Sequence, residues 1–279
     1  MELWHTFISQ MPFEWAHYEF MRNALLAVLL VSPLFALLGC MVINSQMTFF
    51  SEALGHAALT GIAIGAITGL SDPTWAMLVF AGVLTVVITL LRRYSAASTD
   101  TIVGLVMAFS VALGLVILSK YGGINKYSKF LIGDILTISQ PEITRLLLVI
   151  GAVLLIWVIY FNRLFIVSLN RSLAQSRGIN VWLIEFIFSL TVALVVTISI
   201  QWIGLLVINS MLILPAAASR NVAGNISNYT LTAVIIGMIA GASGLIISFC
   251  FGTATGATIV LFSMGFFILS LFWRIRSGR

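Results

Sequence analysis

Charge is what this chain has least of. Of 279 residues, 8% are Asp, Glu, Lys or Arg, and 61% are apolar, giving a mean hydropathy of +1.12. A soluble globular chain carries about a quarter charged residues, because water has to be met by its surface. The shortage excludes a soluble enzyme, a nucleic-acid-binding domain and a disordered chain. Cysteine is scarce as well: Cys40 and Cys250 both fall in apolar runs and read as buried thiols, with no disulfide framework. No GxxxxGK[ST] phosphate loop occurs, so ATP hydrolysis is not expected of this chain, and HExxH and GxSxG are missing too. The expectation is a protein that is not an enzyme. Residues 1–21 hold no Lys or Arg, so the basic region of a cleavable signal is missing there. Trp4, Trp15 and Tyr18 suit instead an interfacial segment at headgroup level, with His5 and His17 as interfacial residues and not ligands.

What the chain does have is long apolar runs. Crossing about 30 Å of hydrocarbon takes about 20 apolar residues in a helix, whereas barrel strands would show short alternating segments. Nine runs qualify: 22–43, 51–70, 73–91, 101–119, 142–161, 181–200, 203–219, 230–250 and 255–273. The sixth and seventh are divided only by Gln201 and Trp202, and Pro215 breaks the seventh. The fold expected is all-α, a polytopic transmembrane helical bundle of about nine spans, within a range of eight to ten, with 1–21 as an interfacial segment and 22–279 as the membrane domain. The net charge of +5 sets orientation and implies no nucleic-acid partner. With the N-terminus outside, nine Arg fall on the cytoplasmic side against five Lys or Arg outside, which puts the C-terminus inside. The longest cytoplasmic connection is then 162–180, polar enough to leave the lipid and hold a short helix.

Ionisable side chains at the centre of a membrane helix cost at least about 2.5–3.5 kcal/mol, and persist where they face protein or water. Glu185, near the start of the sixth span, is within reach of the interface. Glu52 and His56, in the second span, are the more telling pair. Their i, i+4 spacing puts both on one helix face, and Thr60 continues the row. A carboxylate and an imidazole suit a borderline divalent ion such as Zn²⁺, Mn²⁺ or Fe²⁺. A Glu–His hydrogen bond fastening two helices is the other reading of the same spacing. Two donors cannot close a coordination shell, but they make a weak waypoint, which transport requires. Gly61, Gly65 and Gly69 follow, a smooth strip on which another helix can pack closely; Gly237-x3-Gly241 is a second such signal. Asn209 and Pro215 in the seventh span mark a translocation path or a kink.

Several stretches together resemble the permease family of bacterial ABC importers for zinc, manganese and iron. They are MTFFSEALGHAALTGIAIG (47–65), STDTIVGLVMAFSVALGLVILS (98–119), FLIGDIL (130–136), LNRSLAQSRGIN (169–180), WIGLLVINSMLILPAAASR (202–220) and TGATIVL (255–261), in the family's order. The resemblance implies a type II importer-like fold. It also implies metal contact at Glu52 and His56, where the family commonly has Asp before the His. It places the docking helix for a cytoplasmic ATPase at Asn170, Arg171, Ala174, Arg177 and Gly178. As partners it implies a second copy of the chain, an ATP-binding cassette ATPase dimer and an extracytoplasmic metal-binding protein, in the bacterial cytoplasmic membrane and its lipid. No cofactor stays bound; the divalent metal is cargo, and ATP acts through the partner. The alternative function is a proton- or sodium-coupled secondary metal transporter, since a carboxylate beside a histidine also suits a proton relay.

Overall fold

The computed structural model of the protein describes residues 2–9, 12–70, 72–121 and 135–277. Segment 122–134, with Lys126, Lys129 and most of FLIGDIL, lies outside the described residues. Among those described there are eleven α-helices and no strand. In chain order they are α1 (Glu2–Ser9), α2 (Glu19–Asn44), α3 (Thr48–Ile67), α4 (Thr74–Tyr94), α5 (Thr99–Tyr121), α6 (Gln140–Leu169), α7 (Arg171–Ser176), α8 (Val181–Ile203), α9 (Leu205–Val222), α10 (Ile226–Phe251) and α11 (Thr255–Arg276). All except α1 and α7 are long and apolar enough to cross a membrane, nine among the described residues, matching the nine runs. Side chains such as Val79, Leu105, Leu148, Val158 and Leu261 stand exposed on them, as lipid-facing positions should.

Short polar residues mark the helix starts. The side chains of Ser98, Asn170, Asn180 and Asn225 each accept a hydrogen bond from the backbone N–H three residues on, supplying a partner to an otherwise orphaned donor. The chain divides into two compact units, 1–40 with 134–152 and 202–279, and 41–133 with 153–201. In the first, α9, α10 and α11 pack on one another; in the second, α3 packs on α4 and α5.

Four boundaries differ from the sequence expectation. α2 begins at Glu19, so the first span starts three residues before Arg22. The preceding segment is partly packed and not wholly interfacial. Trp15 is buried, the Trp4 indole N–H donates to the Arg22 carbonyl, and the rings of Tyr18 and Phe20 lie against Phe249 of α10. α6 continues through Asn162 and Arg163 to Leu169, so the connection expected at 162–180 shortens to 170–180. At about 1.5 Å per residue, the 30 residues of α6 reach about 45 Å, well past the hydrocarbon. The division between α8 and α9 falls at Gly204, buried at φ +83°, a left-handed conformation that favours glycine. Pro215 does not break α9, which runs on through it.

Candidate functional site

Helix α3 carries the carboxylate–imidazole pair. Glu52 and His56 sit one turn apart and are each half-buried. Neither makes a hydrogen bond or ion pair with another described residue, so the fastening Glu–His hydrogen bond is not formed. Among the described residues no three His, Cys, Asp or Glu cluster into a closed metal site. What α3 offers is a hard carboxylate oxygen and a borderline imidazole nitrogen one turn apart, each without a partner among the described residues.

Thr60 does not extend that row toward a path. It is fully buried, and its hydroxyl donates to the Ser110 carbonyl of α5. A Cβ on Gly114 would stand 3.1 Å from the Thr60 Cα, so α5 presents glycine where α3 comes closest. The 100° turn per residue carries a four-residue row gradually round the helix, which takes Thr60 into the α5 contact. The glycine strip also divides. Gly61 and Gly65 face α4, where added Cβ atoms would stand 2.6 Å from the Met77 Cα and 3.2 Å from the Ala76 Cβ. Gly69 lies beyond the helix end, at φ +70° with nothing near it. There it permits the closing turn, in which the Leu70 N–H returns to the Gly65 carbonyl at 3.1 Å.

Asn209 and Pro215 belong to α9, in the other unit. The Asn209 Oδ1 is buried without a hydrogen-bond partner among the described residues, an unmet acceptor that costs stability unless something else satisfies it. Pro215 is buried 3.6 Å from where a Gly237 Cβ would stand. It is therefore a packing residue of the α9–α10 contact. Gly241 completes that contact, its absent Cβ leaving room for Val28 and Met211.

Helix α7 is the short helix expected in the connection after the fifth span. Asn170 caps its start, its side chain accepting from the Leu173 N–H at 3.1 Å. Gly178, at φ +72°, ends it: the Gly178 N–H bonds the Gln175 carbonyl at 2.9 Å and the Ile179 N–H the Ala174 carbonyl at 3.0 Å. Asn170, Arg171, Arg177 and Gly178 are exposed. Ala174 is 0% exposed and turned into its own chain, so it does not offer a docking surface. Leu173, 46% exposed, is the apolar residue that α7 presents outward.

From its sequence position alone, Glu185 is expected to be an interface-level carboxylate. In α8 it pairs with Arg171 of α7 at 2.7 Å and lies 3.6 Å from Arg92 of α4. The signal was present in the two arginines at the ends of neighbouring polar segments, but distance along the chain hid the pairing.

A solved complex described as PsaBC from Streptococcus pneumoniae with Fab is similar over 97% of this chain and 95% of its own, at TM-score 0.79 and 28% identity. The high-affinity zinc uptake system membrane protein ZnuB of Haemophilus influenzae is 30% identical over 93% of this chain and 99% of its own length. The manganese import system permease protein ScaB of Streptococcus parasanguinis is 29% identical, with 91% of each chain covered. The model of the ABC 3 transport family matches residues 17–274. With nine membrane-length helices among its described residues and its ordered motifs, this chain belongs to the ABC 3 transport family, the permease family of zinc and manganese ABC importers.

Proposed function

We propose that this chain is the membrane-spanning permease of an ATP-driven importer for divalent transition metals, zinc or manganese first and iron by the same donor chemistry. It works as a homodimer with a cytoplasmic ATPase dimer and receives metal from an extracytoplasmic binding protein, in the cytoplasmic membrane of a bacterium. The observation that carries this reading is the unpartnered Glu52/His56 pair on a packed α3, in a family whose relatives are named for zinc and manganese. A station of two donors per chain holds an ion weakly enough to pass it on. The energy input then has to come from a partner, since the chain has no phosphate loop. The test is metal uptake into proteoliposomes holding the permease and its ATPase. Uptake that follows ATP and ignores a collapsed proton gradient supports the reading, and the reverse supports the secondary transporter.

The exposed side of α7 is the proposed ATPase contact, so Leu173→Asp should abolish co-purification of the ATPase while the permease alone stays monodisperse. Ala174→Asp should instead destabilise the permease itself, because an unpaired charge would enter its own interior. Co-purification unchanged in Leu173→Asp would move the contact elsewhere. With the C-terminus cytoplasmic, a green fluorescent protein fused after Arg279 should fluoresce and an alkaline phosphatase fusion should stay inactive.

A further inference from the structure

The transport reading gives Glu185 no role, yet its surroundings are unusual. We propose that Glu185 is a positioning residue for transport, the pin through which displacement of α7 reaches α3, the helix of Glu52 and His56. The inference rests on the reading of α7 as the ATPase-docking helix.

One carboxylate joins three helices here. Oε1 accepts from Arg171 Nη2 of α7 at 2.7 Å, and Oε2 lies 3.6 Å from Arg92 Nη2 of α4. The other arm of the Arg92 guanidinium, Nη1, donates to the Met47 sulfur at 3.4 Å, and Met47 is the residue immediately before the first turn of α3. Glu52 stands five residues further on. Farther along α4, the Met77 backbone fits against Gly61 of α3, so α4 cannot shift without taking α3 with it.

The two contacts of the pin differ in kind. Arg171 is 59% exposed and rides on a six-residue helix hung between the non-helical joints Asn170 and Gly178. Arg92 is 8% exposed, a guanidinium held inside the protein. A planar guanidinium has donors on both arms, and a carboxylate accepts on both oxygens. Glu185 therefore holds both guanidinium groups at once, so a shift of Arg171 pulls on Glu185 while the buried Arg92 charge stays paired. A cavity of about 680 Å³ beside the pin, lined by Arg92, Arg171, Gln175 and Glu185 among others, leaves room for α7 to move. Packed contacts of this sort carry coupling between sites, and substitutions along them change its strength.

The test uses the whole complex of permease, ATPase and binding protein in proteoliposomes, reading metal imported per ATP hydrolysed. Glu185→Gln should still assemble and hydrolyse ATP, with that ratio down about tenfold. Glu185→Asp, which keeps the charge, should recover most of it. A second measurement needs neither ATP nor metal: spin labels at the exposed positions 173 and 94 report the α7–α4 distance in the permease alone. One narrow distance is expected in the wild type, and a broad distribution in Glu185→Gln and in Arg171→Gln. A ratio within about twofold of wild type in Glu185→Gln, or unchanged label distances in either variant, overturns the proposal. A wild-type complex that imports nothing with ATP overturns the importer reading instead, and the label distances then decide the pin by themselves.

Discussion

Glu52→Gln or His56→Ala should each cut metal uptake by the reconstituted complex at least about a hundredfold. Losing a group that only orients a metal ligand costs about 10–100-fold in affinity, and these two residues are proposed to touch the ion directly. Neither side chain has a hydrogen bond or ion pair with another described residue to lose. Stability should therefore change by no more than about 0.5 kcal/mol, as at unencumbered positions. That separation makes the result interpretable: loss of uptake with an unchanged melting temperature is loss of the station and not of the fold. Glu52→Asp should retain most of the uptake, since it keeps an anionic oxygen within a methylene of its place. Glu52→Gln keeps shape and hydrogen bonding and removes only the charge, so it isolates the ligand role. Wild-type uptake in both Glu52→Gln and His56→Ala would make the pair structural.

The second large effect is on folding. At Gly61 a Cβ would come 2.6 Å from the Met77 Cα, a backbone atom that cannot swing aside. Gly61→Ala should cost about 1–3 kcal/mol, as overpacking a filled interior does. Gly61→Leu should yield little or no folded permease in detergent. Gly82 in α4 is the control, because a Cβ there would meet nothing within 4 Å. Gly82→Ala should leave the melting temperature unchanged or slightly raised, as alanine favours the helix. Equal melting temperatures for Gly61→Ala and Gly82→Ala would show that α3 and α4 do not meet as described.

Which features could be read in the sequence follows from their physics. A span announces itself locally, since 20 apolar residues have no other use in a chain so poor in charge; hence the nine. Asn170 and Gly178 mark the ends of α7 by capping chemistry that a single sequence displays. Burial direction is not local. Thr60, in register with Glu52 and His56, is drawn into α5, because a four-residue repeat drifts round a helix and the neighbour decides where it ends. Gly69 continues a spacing that the helix itself does not continue. Ala174 shows the same limit, since its neighbours are exposed while it packs inward. Pro215 read as a break, but a proline is tolerated in a membrane helix where neighbouring groups satisfy the freed carbonyl. The link between Arg92, Arg171 and Glu185 spans more than ninety residues of chain and carries no periodic signal at all.

The account stands on whether Glu52 and His56 hold the ion as it passes. The most direct measurement is electron spin-echo modulation of Mn²⁺, used as a paramagnetic cargo and trapped in the complex with its ATPase stalled by a non-hydrolysable nucleotide. Modulation from one imidazole nitrogen per contributing chain is predicted in the wild type and in Glu52→Asp, and should vanish in His56→Ala. Trapped Mn²⁺ with no nitrogen modulation, or with modulation unchanged in His56→Ala, would contradict the site.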